Sequence, residues 1–396
     1  MKHIYVHVPF CRRRCSYCDF SIAVRKAIPA KSFVDSILKE IEMRVEAGEW
    51  DDAETETLYL GGGTPSLLPG DAVAELVESL PCCTTNEGTR ERGNEGTTET
   101  ATQLPPAPCS PIPAPEITLE ANPDDVTVES VSVWKSAGVN RVSLGVQSFD
   151  PGVLKWMRRT HTADASVAAM EALREAGIEN VSIDLIFGLP EQLDTRFEAD
   201  LERGLELEPE HISVYGLTVE RSSPLGHWVA QGTIRSPQDS RYEKEFLLAD
   251  AKLTAAGYAH YEVSNYSRPG RESLHNSAYW SGASYGGLGP SAHRYRAQAR
   301  ERAWNVRPWA EYERLVSGAT DPTAEREQID ADKEWLEAIY LGLRTCAGVN
   351  LSWLGDGEET WGRLVEDSLA RQDRGRLLLT VSGWLKLDEI TVALTT

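Results

Sequence analysis

Through the first 217 residues, short apolar runs alternate with stretches whose apolar residues recur every three or four positions. The runs His3–Val8, Thr57–Leu60, Ile117–Ala121, Arg141–Val146, Val181–Phe187 and His211–Leu217 predict strands. The stretches between them predict helices. Ala30–Gly48 carries Phe33, Ile37, Ile41 and Val45 at helical spacing, and Asp71–Leu80 follows as a shorter helix. Val126–Ala137 ends at Gly138, Asp164–Ala176 ends at Gly177, and Thr195–Leu207 closes the series.

Six strand–helix alternations predict a parallel sheet with right-handed crossovers. Short apolar strands suit a sheet covered on both faces. A closed eight-fold barrel needs two more units, so the expected fold is α/β, a partial (β/α)6 barrel over residues 1–220. Beyond it the pattern becomes irregular, and 221–396 are expected to form an α+β accessory domain. Helices are predicted there at Asp239–Ala256, with Tyr242, Phe246 and Ala249 on one face, and at Ala331–Arg344, with Trp335, Ala338, Ile339 and Leu343 inward. The strand-like Arg376–Val381 among short helices makes the end resemble a winged-helix module.

One segment breaks the alternation. Cys82–Pro115 is rich in Thr, Glu, Gly and Pro and nearly free of aliphatic residues. Such a composition cannot bury enough surface to order itself, and a disordered insertion without catalytic role is expected. It lies in a helix-to-strand connection, on the rim away from the carboxyl ends of the strands, where ligands bind in such sheets.

Composition narrows the function. With 40 basic and 61 acidic residues the net charge is −21, which argues against a nucleic-acid partner. Arg12, Arg13 and Arg14 are a local exception, either a solvated loop or a docking patch. No apolar run reaches the ~20 residues of a membrane span, and Met1-Lys-His leads directly into a strand rather than a signal peptide. Seven cysteines, several best used as thiolates, fit a reducing cytoplasm.

The chemistry concentrates after the first strand, in Cys11-Arg-Arg-Arg-Cys15-Ser-Tyr-Cys18. Thiolates bind soft metals and iron–sulfur clusters. Structural zinc normally takes four protein ligands, and no second cysteine pair follows at a partner spacing. Three thiolates on one loop suit a [4Fe–4S] cluster with one iron left open; a zinc site or plain thiol loop is the alternative. The polar residues that interrupt the apolar runs fall on the same rim. Gly61-Gly-Gly-Thr64 follows strand two, Glu120 ends strand three, Gln147 ends strand four, and Asp184 lies within strand five. A carboxylate inside an apolar strand needs a partner, so Asp184 wants a ligand or a salt bridge with Arg159.

Cys-x3-Cys-x2-Cys resembles the motif of the radical S-adenosylmethionine (SAM) superfamily. The resemblance implies that the open iron chelates SAM. Further segments, Tyr5-Val-His-Val-Pro-Phe-Cys11, Gly-Gly-Gly-Thr-Pro-Ser66, Gly145-Val-Gln-Ser-Phe and Ile183-Asp-Leu-Ile-Phe-Gly-Leu-Pro190, look like the oxygen-independent coproporphyrinogen III oxidase family. Carried over residue by residue, the resemblance implies a SAM site of Tyr5, Tyr17, Gly62, Gly63, Thr64, Glu120, Gln147, Arg159 and Asp184. It implies cluster ligands Cys11, Cys15 and Cys18, and it assigns no catalytic residue. The oxidase proper carries a further cysteine where Phe20 stands here, and a long amino-terminal extension. Both departures point to the haem-chaperone branch, whose His-Asn-x-x-Tyr-Trp motif is present as His275-Asn276-Ser-Ala-Tyr279-Trp280.

The resemblance implies that these four residues contact haem, His275 being the candidate ligand and His293 its alternative. Read from the residues alone, His275 caps a loop and Tyr279 and Trp280 are core. The implied cofactors are a [4Fe–4S] cluster, SAM and haem. The implied partner is a haem-recipient protein, a respiratory enzyme that can be membrane-associated. The alternative activity is oxidative decarboxylation of coproporphyrinogen III.

Overall fold

The computed structural model describes residues 1–50, 54–79, 114–193, 195–236, 238–355 and 358–396. Most of the predicted insertion at 82–115, with Cys82, Cys83 and Cys109, lies outside them.

Six parallel strands form the centre: β1 His3–Val8, β2 Thr57–Gly62, β3 Glu116–Ala121, β4 Arg141–Gln147, β5 Val181–Phe187 and β6 His211–Gly216. Each is followed by a covering helix: α1 Ala30–Glu46, α2 Gly70–Glu78, α3 Val128–Ser136, α4 Ala163–Glu175, α5 Phe197–Glu206 and α6 Asp239–Ala255. The α/β partial barrel is therefore as expected, with α6 supplying its last helix.

The strands are not apolar on both faces, which corrects the sequence reading. Ile4, Leu58, Leu119, Leu144, Ile183 and Ile212 point to the helices and are fully buried. Their alternates, including Tyr59, Glu120, Ser143 and Asp184, point into the barrel, as a period of two requires. A polar interior over an apolar shell leaves room for a polar ligand.

The sheet does not stop at six strands. Ala259–Glu262 (β7) and Asn265–Ser267 (β8) form an antiparallel pair that adds to β6. Tyr285–Leu288 (β9) lies parallel to β1 on the other edge. His293–Arg296 (β10), Glu301–Asn305 (β11) and Thr323–Gln328 (β12) continue antiparallel beyond it. The order is β12-β11-β10-β9-β1-β2-β3-β4-β5-β6-β8-β7. Residues 259–328 thus extend both edges of one sheet, so the expected boundary at 220 is not a break in the sheet. A smaller three-stranded sheet, formed by 349–350, 376–379 and 370–373 in that order, lies in the carboxyl-terminal part with short helices around it.

Between β8 and β9 runs α7, Leu274–Trp280. Ser273 caps it by accepting from the Asn276 amide. The Glu116 carboxylate, at the start of β3, accepts from the amides of Leu274 and His275 at 3.2 and 3.1 Å. These bonds fasten α7 across the amino-terminal end of the barrel.

Candidate active site

The cysteine loop leaves β1 at its carboxyl end. Phe10–Cys11 pair with Ala23–Val24, so the loop closes on itself. Cys11, Cys15 and Cys18 all line one cavity of about 450 Å³. Among the described residues, no three Cys, His, Asp or Glu side chains are gathered tightly enough to hold a single ion. Burial pushes the Cys11 thiol up to about 11, and raises Cys18 as well. Loading a metal must therefore displace protons from these thiols. Donors are in place for the resulting thiolates: the Thr64 hydroxyl lies 3.4 Å from Cys11 Sγ and Arg159 Nη1 lies 3.6 Å from Cys15 Sγ.

Eight of the nine residues expected around SAM line the same cavity: Tyr17, Gly62, Gly63, Thr64, Glu120, Gln147, Arg159 and Asp184. Tyr5 does not. It lies deeper in the barrel, bonded to His7 Nδ1 at 3.1 Å and stacked 6.1 Å from Tyr59. Gln147 has φ +67°, an uncommon conformation for a non-glycine residue and a frequent mark of functional sites.

The glycines have a steric role. A Cβ on Gly62, which has φ +110°, would meet the His7 ring at 2.5 Å, and one on Gly63 would meet the Phe10 carbonyl at 2.7 Å. They allow close approach to β1 and its loop. The Gly62 amide donates to Glu120 Oε2 at 3.0 Å.

Two carboxylates form the polar floor. Tyr59 donates to Glu120 Oε1 at 2.9 Å, and Ser143 to Asp184 Oδ1 at 3.1 Å. Burial, then the Asp184 charge, pushes Glu120 up to about 7. Burial likewise raises Asp184, opposed by its serine hydrogen bonds. The expected alternative of an Arg159–Asp184 salt bridge is not formed. Arg159 instead donates to Asn122 Oδ1 and, at 2.9 Å, to the Gly145 carbonyl. Tyr59, Asn122, Ser143 and Tyr215 also line the cavity and were missed. Tyr59, Ser143 and Tyr215 are inward positions of the strands, recoverable from alternation with Glu120 and Asp184.

The His-Asn-x-x-Tyr-Trp motif lies on α7, at the opposite end of the barrel. His275 is 1% exposed. Its Nδ1 pairs with Thr57 Oγ1 at 2.7 Å and its Nε2 with Tyr279 OH at 2.8 Å. The ring stacks 5.2 Å from Tyr59, and burial lowers its pKa to about 3. Both ring nitrogens are thus hydrogen-bonded within the fold. Asn276, Tyr279 and Trp280 are partly exposed, and the Arg344 guanidinium covers the Trp280 ring at 4.5 Å.

Three thiols and two carboxylates line one cavity of a parallel partial barrel, and the profile of the radical SAM superfamily matches residues 5–204. The chain belongs to that superfamily and, within it, to the family of HemW proteins. The haem chaperone HemW of Mycobacterium tuberculosis is 35% identical over 390 residues, covering 98% of this chain and 93% of the relative. HemW of Bacillus subtilis is 31% identical over 402 residues, covering 98% of each. The coproporphyrinogen III oxidase HemN of Escherichia coli, a radical SAM enzyme, superposes with a TM-score of 0.77 at 21% identity, covering 100% of this chain and 90% of that one. That last likeness concerns the fold alone. Among the described residues, no helix is long and apolar enough to cross a membrane.

Proposed function

We propose that this protein is a haem chaperone carrying a [4Fe–4S] cluster and SAM, which hands haem to a recipient respiratory protein in the cytoplasm or at the membrane. The single observation behind the cofactors is the shared cavity of Cys11, Cys15, Cys18, Glu120, Gln147, Arg159 and Asp184. The haem function comes from the relatives named above.

Cys11, Cys15 and Cys18 would hold the cluster, with Thr64 and Arg159 stabilising the thiolates. Once bound, the cluster would supply one-electron chemistry and an open iron for SAM. Glu120 and Asp184 would accept hydrogen bonds from the hydroxyl and ammonium groups of SAM. Gln147 would orient it.

The second reading, oxidation of coproporphyrinogen III, draws on the HemN-like fold. Phe20 opposes it: 65% exposed at the cavity mouth, it stands where the oxidase has its further cysteine. Anaerobic reconstitution, followed by haem titration and incubation with coproporphyrinogen III, SAM and reductant, separates the two. Haem binding without protoporphyrinogen formation is expected. Efficient protoporphyrinogen formation would overturn the chaperone reading.

A further inference from the structure

Where haem sits follows from asking which imidazole is available to iron. The chain has eight histidines. Six are committed within the fold. His275, His211 and His260 use both ring nitrogens, and His7 bridges Tyr5 and the Ser21 carbonyl. His161 is buried on the Val146 carbonyl, and His3 pairs with Thr57. His227 and His293 alone among the described histidines are exposed with no hydrogen bond on the ring.

These two are not equivalent. His293 opens β10 and lies opposite Trp304 of β11 in the sheet register. Its ring stacks on Trp304 at 5.4 Å between centroids, 23° from parallel. The stack fixes the angle of the imidazole without using either nitrogen. Two residues beyond β11, Arg307 accepts from the Ser21 hydroxyl at 2.7 Å through its carbonyl, and its guanidinium reaches the Asp19 carbonyl at 3.5 Å. Those two bonds bracket Phe20, whose exposed ring lines the cavity mouth. The free imidazole of His293, the exposed ring of Phe20 and the Arg307 cation are thus linked through β10, β11 and these two bonds. They match an iron, the apolar face of a macrocycle and a propionate carboxylate. His227 has no such company. It is on the helix 224–230 beside Trp228, whose ring is already covered by the Arg158 guanidinium at 5.1 Å.

We propose that haem binds at the rim of the cysteine cavity, with His293 Nε2 ligating the iron, Trp304 orienting the imidazole, Phe20 covering part of the macrocycle and Arg307 pairing with a propionate. The site rests on the haem-chaperone reading and places the cargo beside the cluster loop, at the opposite end of the barrel from α7.

The test titrates the reconstituted full-length protein with haemin and with dithionite-reduced haem, following the Soret band. His293→Ala should lose the imidazole-ligated Soret position and bind at least tenfold more weakly, with unchanged cluster absorbance and thermal midpoint. Added free imidazole should restore the ligated spectrum in that variant. Arg307→Ala should weaken binding without moving the band, and His227→Ala should match wild type. Wild-type spectrum and affinity in His293→Ala would overturn this site while leaving the chaperone reading standing. A wild-type protein that forms no haem complex would overturn both.

Discussion

Arg159 aims one guanidinium nitrogen at Cys15 Sγ, 3.6 Å away, and the other at Asn122 and the Gly145 carbonyl. It ties the cysteine loop to β4 and places a fixed positive charge beside the Cys15 sulfur. Arg159→Met should lower the cluster reduction potential by tens of millivolts and hasten its loss, because hydrogen bonds and charge near the sulfurs set both. Potentiometric titration followed by electron paramagnetic resonance reads the shift. An unmoved potential would remove Arg159 from this role.

Replacing any one of Cys11, Cys15 and Cys18 by Ser should abolish the cluster absorbance of reconstituted protein. Iron and sulfide analysis checks the loss. Full loading in all three variants would exclude the cavity as the cluster site.

Glu120 makes the cluster-free protein pH-sensitive. It titrates near 7 in the fold against 4.5 for an ordinary glutamate. The folded state therefore prefers the protonated acid. Its contribution is fully present below pH 4.5, falls as the pH rises to about 7, and is flat above. The loss is roughly 3 kcal/mol. Glu120→Gln should flatten the dependence of chemical denaturation between pH 5 and 8. A variant that declines as steeply as wild type would show that another group is responsible.

His275→Ala should cost about 2 kcal/mol or more of folding stability, since it leaves Thr57 and Tyr279 without their buried partner and opens a void under Tyr59. The Soret band should stay where it is. A destabilised variant with normal haem spectra supports a structural role for α7; a shifted band in a stable variant contradicts it.

Deleting residues 82–113 and joining the ends by a short linker should leave the cluster intact. α2 ends at Glu78 and β3 begins at Glu116, so the connection enters the sheet at the end away from the cysteines. Iron content of the deletion protein measures this.

Much of the barrel was legible because helix and strand periods differ so plainly. β1 and β5 match their predicted bounds, and Gly138 and Gly177 follow α3 and α4 with positive φ. The cysteine rim was legible because strand ends mark the ligand side of any parallel sheet. Other features depended on distant partners. Tyr285–Leu288 is four residues long with two glycines, and only its pairing with β1 makes it a strand. Val45 fits the helical period of α1 yet is 53% exposed, while Glu40 and Arg44 on that helix are buried. They are held by Asn305, Asp321 and Tyr312 from more than 260 residues away. The partners of His275 were hidden for the same reason: neither Thr57 nor Glu116 is visible from its neighbourhood in sequence.

The stopper that α7 forms at the amino-terminal end has a consequence for traffic. Glu116, Thr57 and Tyr279 fasten that end, while the cavity is lined by the cysteine loop at the other. A flat cargo parked on the rim beside Phe20 would stand in the doorway. Loading would then have an order, with the small cofactor in first and the macrocycle in place after it, and release would run in reverse.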